Sequence, residues 1–211
     1  MSSRERISRH PAWVVLAVGV ALFVYIGINT LSTKGPGSTG PAVGTRLAPF
    51  AAPLVASDLV GDANVATSFG QGAAGARPAC DVTDPRALNV CALWRRGPLV
   101  LAFLTTGAGE CARQVDAMQA LAPRFPHVSF AAVFVRGDRG AERTLVRRRG
   151  WTLPVAQDRD GAVANRYGVA VCPTVVFAAR GGRVRSTALG SEVVRLAALE
   201  RRVRALLGAR A

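Results

Sequence analysis

Residues 98–118 read PLVLAFLTTGAGECARQVDAM, with Leu99 to Leu104 an unbroken apolar run and Cys111 just inside the segment after it. An apolar run of strand length with no polar alternation is the mark of a strand covered on both faces, as in a parallel sheet. The residues after it change period. Val115, Met118, Leu121 and Ala122 recur at helical spacing, which predicts a helix from Glu110 to Phe125. The stretch is therefore a buried strand running through TTGAG into a helix that carries Cys111 in its first turn.

The pattern repeats downstream. VSFAAVFV, 128–135, reads as a second buried strand, and 141–149 as an arginine-rich helix closed by Gly150. A short strand is expected over 153–156, a short helix over 162–167 and a strand over 174–178. Gly181-Gly182 is a hairpin signal, with a partner strand over 184–188. Residues 192–207 form a terminal helix, with Val194, Leu196, Leu199, Val203, Leu206 and Leu207 on one side. Alternation of strands and helices implies an α/β sandwich with a parallel core, and the hairpin adds an antiparallel edge. Upstream, 47–95 is weakly patterned, with room for a short strand or two and a glycine-rich loop before Cys80.

The N-terminal end is different in kind. No charged residue occurs from Pro11 to Thr33, and Ala12 to Ile28 is almost wholly apolar. Taken to Leu31, the run is about 30 Å long as a helix, enough to span a bilayer. Arg4, Arg6 and Arg9 precede it, and only Lys34 follows closely. The positive-inside rule then makes residues 1–11 cytoplasmic, 12–32 a transmembrane anchor and everything beyond extracytoplasmic at a cell membrane. A cleaved signal peptide is the rival reading, but no small-x-small site directly follows the apolar run. Residues 33–46, rich in Gly, Pro, Ser and Thr, read as a flexible linker to a domain over 47–211.

The chain has 211 residues and a net charge of +14, and all 27 basic residues are arginine except Lys34. An arginine-biased composition spread over solvated faces accounts for this charge. No basic stretch is interleaved with aromatics, so no nucleic-acid partner is expected. With two histidines, His10 and His127, and dispersed cysteines there is no zinc spacing, and neither a metal nor a cofactor is expected. Asp160-Gly161 reads as a turn, and Gly137 to Gly140 lack the context of a phosphate loop.

Four cysteines are too few for a disulfide scaffold, and four can pair in three ways. Cys80 and Cys91 flank a polar stretch, and outside a membrane such a pair is a natural structural disulfide. It would close a loop of about 12 residues and stabilise by up to roughly 3 kcal/mol.

The element order, together with these motifs, resembles a thioredoxin-like fold of the membrane-anchored TlpA-type and AhpC/TSA redoxins: a central mixed sheet flanked by helices, here preceded by a transmembrane helix. Residues 149–177, RGWTLPVAQDRDGAVANRYGVAVCPTVVF, resemble the redoxin pattern GW–PV–D–DG–A–YGV–PT. The resemblance aligns Pro173 with the cis-proline that faces the redox helix in that family, and Cys172 stands where valine or threonine is usual. The departure is at the redox motif. The family has WCxxC, whereas this chain has Gly107 followed by Ala108-Gly109-Glu110-Cys111, so only the second cysteine is present.

That family's chemistry uses a thiolate at a helix N-terminus, where free N–H groups favour negative charge, and a second cysteine to resolve the mixed disulfide. Ala108 cannot attack, so a conventional CxxC cycle is excluded. The resemblance instead implies that Cys111 and Cys172 lie close together, with Pro173 completing the site. They form a rearranged redox pair, an inert bridge, or two buried thiols. The expected function is a membrane-tethered thiol–disulfide oxidoreductase acting on protein thiols or a redox partner protein. The alternatives are a redox-inert binding domain and a thiol peroxidase. The peroxidase is disfavoured because Ala108 stands where peroxidases place a threonine.

Overall fold

The structure is a computed structural model and describes residues 10–32, 39–71 and 75–208, with side chains in the first stretch described for 13–26 only. It divides into two units, 1–35 and 36–211. Within the first unit, α1 (His10–Ser32) is a continuous helix. Its side chains from Trp13 to Ile26 are exposed, Phe23 by 83%. Among the described residues no helix is long and apolar enough to cross a membrane. The apolar run in the sequence extends past both ends of the stretch whose side chains are described.

The second unit is built on a five-stranded mixed sheet. Its strands are β3 (Leu99–Leu104), β4 (Ser129–Val135), β5 (Val155–Asp158), β6 (Thr174–Ala178) and β7 (Val184–Leu189). Their order across the sheet is β5-β4-β3-β6-β7. Strand β3 runs parallel to β4, and β4 to β5, whereas β6 is antiparallel to both β3 and β7. A separate two-stranded ribbon pairs β1 (Ala51–Pro53) with β2 (Ala87–Asn89). Helices α3 (Gly109–Leu121), α4 (Arg139–Arg149), α5 (Ala162–Tyr167) and α6 (Leu196–Gly208) complete the sandwich.

Strand β3 is buried along its whole length because it is central and covered on both faces. Its residues alternate between two cores. Val100, Ala102 and Leu104 join Cys111, Val115, Met118, Phe134 and Leu199 on one face. Leu99, Leu101 and Phe103 join Phe50, Cys91, Trp94 and Tyr167 on the other. The period-two geometry of a strand makes this division.

Several details differ from the sequence reading. The helix over 110–125 ends its α-helical part at Leu121, and a 3-10 turn covers Ala122–Arg124, where Pro123 lacks a backbone donor. The fifth strand is shifted to Val155–Asp158. The terminal helix starts at Leu196 after a 3-10 turn over Gly190–Val193. The weakly patterned segment holds a helix not foreseen, α2 (Val90–Arg96), whose first amides Cys91 N and Ala92 N donate to the Asn89 side chain. Among the described residues, backbone pairing within the second unit begins at Thr39, inside the stretch read as linker. Gly40 N–H donates to Gly168 O, Gly44 N–H to Val184 O, and Thr39 bridges Val169. Residues 33–38 of that stretch lie outside the described residues.

The β6–β7 hairpin turns at Gly181 and Gly182, both left-handed at φ +83° and +81°. At Gly182 a Cβ would also stand 2.8 Å from the Trp94 ring, so α2 packs directly on the turn.

Candidate functional site

The site lies at the carboxyl end of β3, where TTGA leads into α3. The helix opens without a side-chain cap at Ala108, and the Cys111 amide donates to Ala108 O at 3.1 Å. Glu110 points outward to Arg113, 3.5 Å away, with both side chains more than half exposed. Cys111 faces inward and is fully buried.

The loop before β6 brings the second sulfur. The Cys172–Pro173 peptide is cis. Around it the Pro173 carbonyl accepts from Gly190 N–H at 2.8 Å, and the Thr174 hydroxyl donates to Val171 O at 2.6 Å. Cys172 is half-buried and its sulfur is bonded to that of Cys111, with 5.7 Å between the Cα atoms and a sequence separation of 61. The Cys172 sulfur lies 3.7 Å from Phe103 O on the neighbouring strand. Cys111, Cys172 and Pro173 are thus brought together. The accessible side of the pair is Cys172, beside exposed Val171.

Cys80 and Cys91 are joined as a second disulfide, 5.3 Å between Cα atoms. It ties the 3-10 turn Ala79–Asp81 to the first turn of α2. Cys91 is fully buried in the face opposite to Cys111. Replacing both cysteines by serine is expected to lower unfolding stability by about 3 kcal/mol, the entropy of a closed loop of this size. Urea denaturation measures this, and an unchanged midpoint would show that the clip contributes nothing.

Several polar side chains are buried among the described residues, and three of them are described in turn below. Asp158 is fully buried and accepts amide hydrogens from Val163 at 3.0 Å and Ala164 at 2.8 Å, fixing the start of α5 to the sheet. Burial pushes its carboxyl up, against the lowering effect of those amides. Gln114, one turn after Cys111, is fully buried, and its amide N and O have no hydrogen-bond partner among the described residues. Glu142 in α4 is fully buried, and neither carboxyl oxygen meets a donor in hydrogen-bonding geometry. Burial raises it from 4.5 to about 7, with the Gln157 amide and Arg139 nearby pulling the other way. The Glu142–Val146 spacing of four residues was the available signal, since Val146 faces the core.

No group of three or more His, Cys, Asp or Glu side chains is placed to hold a metal among the described residues. A hollow of about 770 Å3 lined by Asp62, Asn64, Arg77, Asp84 and Arg86 lies in the segment before α2, and neither cysteine of the site lines it.

Solved structures with this architecture include thiol–disulfide proteins. A secreted disulfide oxidoreductase of Mycobacterium tuberculosis, homologous to DsbE of E. coli, is 25% identical, covering 56% of this chain and 88% of its own, with a TM-score of 0.51. DsbF from the same organism is 26% identical over 57% and 87%, TM-score 0.51. A Chlorobium tepidum protein assigned as the thiol:disulfide interchange protein DsbE is 18% identical over 79% and 99%, TM-score 0.61, which shows the shared fold. No curated protein matches the chain in sequence. The AhpC/TSA family pattern matches residues 82–189, from the loop after Cys80 to the end of β7. With more than half of its length matched, and with a mixed sheet and a cis-proline loop facing α3, the chain belongs to the AhpC/TSA family and is a thioredoxin-like redoxin.

Proposed function

We propose that this redoxin is a membrane-tethered, extracytoplasmic thiol–disulfide oxidoreductase whose working pair is Cys111 and Cys172. The observation that carries the reading is the meeting of two sulfurs from opposite sides of the site, one buried at the start of α3 and one half-exposed before Pro173. Ala108 supplies no nucleophile, and Cys172 takes over that role. A substrate thiolate attacks the Cys172 sulfur, the Cys111–Cys172 bond breaks, and Cys111 leaves as a thiolate that takes up a proton. A second substrate thiolate then attacks the substrate sulfur of the mixed disulfide and expels Cys172. The substrate dithiol becomes a disulfide and the pair becomes two thiols. In the reverse direction Cys172 attacks a substrate disulfide and Cys111 resolves the intermediate.

The tether rests on α1, whose apolar side chains from Trp13 to Ile26 are exposed, and on the three arginines ahead of it. The partners are protein thiols or a redox partner protein. The 25% identity to a secreted disulfide oxidoreductase supports the activity.

Redox equilibration of the full chain against thiol buffers, with mass mapping of alkylated cysteines, tests the reading. Cys111–Cys172 is expected to open first, at a potential above about −300 mV, while Cys80–Cys91 stays closed. A potential far below that value marks an inert bridge and favours a binding domain.

A further inference from the structure

Positive charge is unevenly compensated over the domain. Arg180 and Arg183 flank the β6–β7 turn, and Arg46, Arg95 and Arg96 stand beside them, all five exposed. The end of α2 is fastened to the turn: Gly181 N–H donates to Trp94 O at 2.9 Å and Arg180 Nε to Arg95 O at 3.1 Å. Arg46 bridges Arg183, whose Nη1 donates to Gly44 O at 2.7 Å. Each of these side-chain hydrogen bonds occupies one donor of a guanidinium and leaves the rest to solvent.

No carboxylate answers this cluster. Every ion pair among the described residues engages an arginine other than these five. The segments that build this end of the sheet, 39–57, 85–109 and 161–191, contain no Asp or Glu. Asp84, which lines a hollow together with Arg95 and Arg96, is already held by Arg86 at 2.8 Å. Crowded like charges of this kind project a positive field that attracts an extended anionic surface. Trp94, the aromatic ring of the region, is buried against Gly182, so no ring is offered to stack on a base. Guanidinium groups pair with phosphate through parallel N–H donors. The exposed apolar side chains of α1 make a bilayer the anionic surface the chain meets.

We propose that Arg46, Arg95, Arg96, Arg180 and Arg183 dock the domain on the acidic phospholipid headgroups of a bilayer. This rests on the membrane tether proposed above. The docking has a consequence for the disulfide. Leu99 pairs with Ala178 next to the arginine end of the sheet, and Phe103 with Thr174 next to Cys172. The length of β6, roughly 17 Å, separates the two ends. With the arginines on the headgroups, the half-exposed Cys172 sulfur faces away from the lipid, towards proteins of the aqueous phase.

The test is modification of arginines by phenylglyoxal, read residue by residue by mass spectrometry on the full chain with vesicles. One set of vesicles is phosphatidylcholine alone, and the other contains about one third phosphatidylglycerol. Relative to exposed Arg148 and Arg201, the five arginines are expected to react about fivefold more slowly on the acidic vesicles, the factor that matches the attraction of one arginine to such a surface. About 0.5 M salt, which cuts the screening length to about 4 Å, is expected to abolish the difference. Arg95→Gln with Arg96→Gln changes side chains that make no hydrogen bond or ion pair among the described residues, and is expected to remove most of the slowing at Arg180 and Arg183. Equal rates on both vesicles, or equal slowing at Arg148 and Arg201, overturn the docking surface. Slowing by polyglutamate but not by acidic vesicles assigns the patch to an acidic protein segment and overturns the lipid assignment. Flotation with vesicles in high salt reports the tether separately: a chain that floats without the footprint leaves the tether standing, and one that shows the footprint but does not float in salt overturns the tether alone.

Discussion

Cys172→Ala is expected to reduce thiol–disulfide exchange on the order of a thousandfold or more, the scale seen when a covalent nucleophile is lost. The reason is access. Cys111 is fully buried between α3 and the sheet, and once Cys172 is gone its thiol has no route to a substrate sulfur. Cys111→Ala is expected to fail differently. Cys172 remains half-exposed and attacks a substrate disulfide, but nothing resolves the product, so a mixed disulfide accumulates on Cys172. Non-reducing electrophoresis and intact mass, after incubation with a disulfide-bonded protein, distinguish the two variants. Adducts on Cys111 in the Cys172→Ala protein would reverse the assignment of roles. Adducts in neither variant would place the chemistry elsewhere.

Glu142→Gln is expected to raise unfolding stability above neutral pH by on the order of 3 kcal/mol. The folded protein holds this carboxyl at about 7 against 4.5 for the free group, so between those values the native state binds a proton that the unfolded chain does not. Stability from this group is therefore complete below about pH 4.5, falls as pH rises through the window and stays lost above about 7. Glutamine mimics the protonated acid without ionising, so the two proteins should converge at about pH 4 and diverge towards pH 8. Chemical unfolding at several pH values gives the measurement, and parallel curves for the two proteins would show that Glu142 is not held neutral.

The contrast between these residues shows what the chain discloses unaided. LVLAFL and SFAAVFV announce themselves as strands because a strand covered on both faces has no polar alternation to obscure. The Cys111–Cys172 meeting followed from the family resemblance, which aligned Cys172 and Pro173 opposite the redox helix. Local pattern could not supply it, since the two cysteines are 61 positions apart, with the rest of α3, two strands and two further helices between them. The ribbon β1–β2 was barely legible: AAP and ALN are three residues each, too short for a period to emerge. Glu142 was hidden by its company. In GAERTLVRRR it sits among four arginines, a composition that reads as a solvated helix face. Only the packing of α4 turns that one position inward, along with Val146.

The alternation along β3 sends its even-numbered residues to the core with Cys111 and its odd-numbered ones to the core with Cys91. The sheet is thus a partition between two compartments of sulfur. A reducing equivalent delivered at Cys172 has no through-space path to Cys80–Cys91, because exchange demands collinear sulfurs in contact and a full layer of backbone intervenes. On the proposed function, the domain cycles one bridge while the other, on the far side of the sheet, keeps the 3-10 turn Ala79–Asp81 joined to α2.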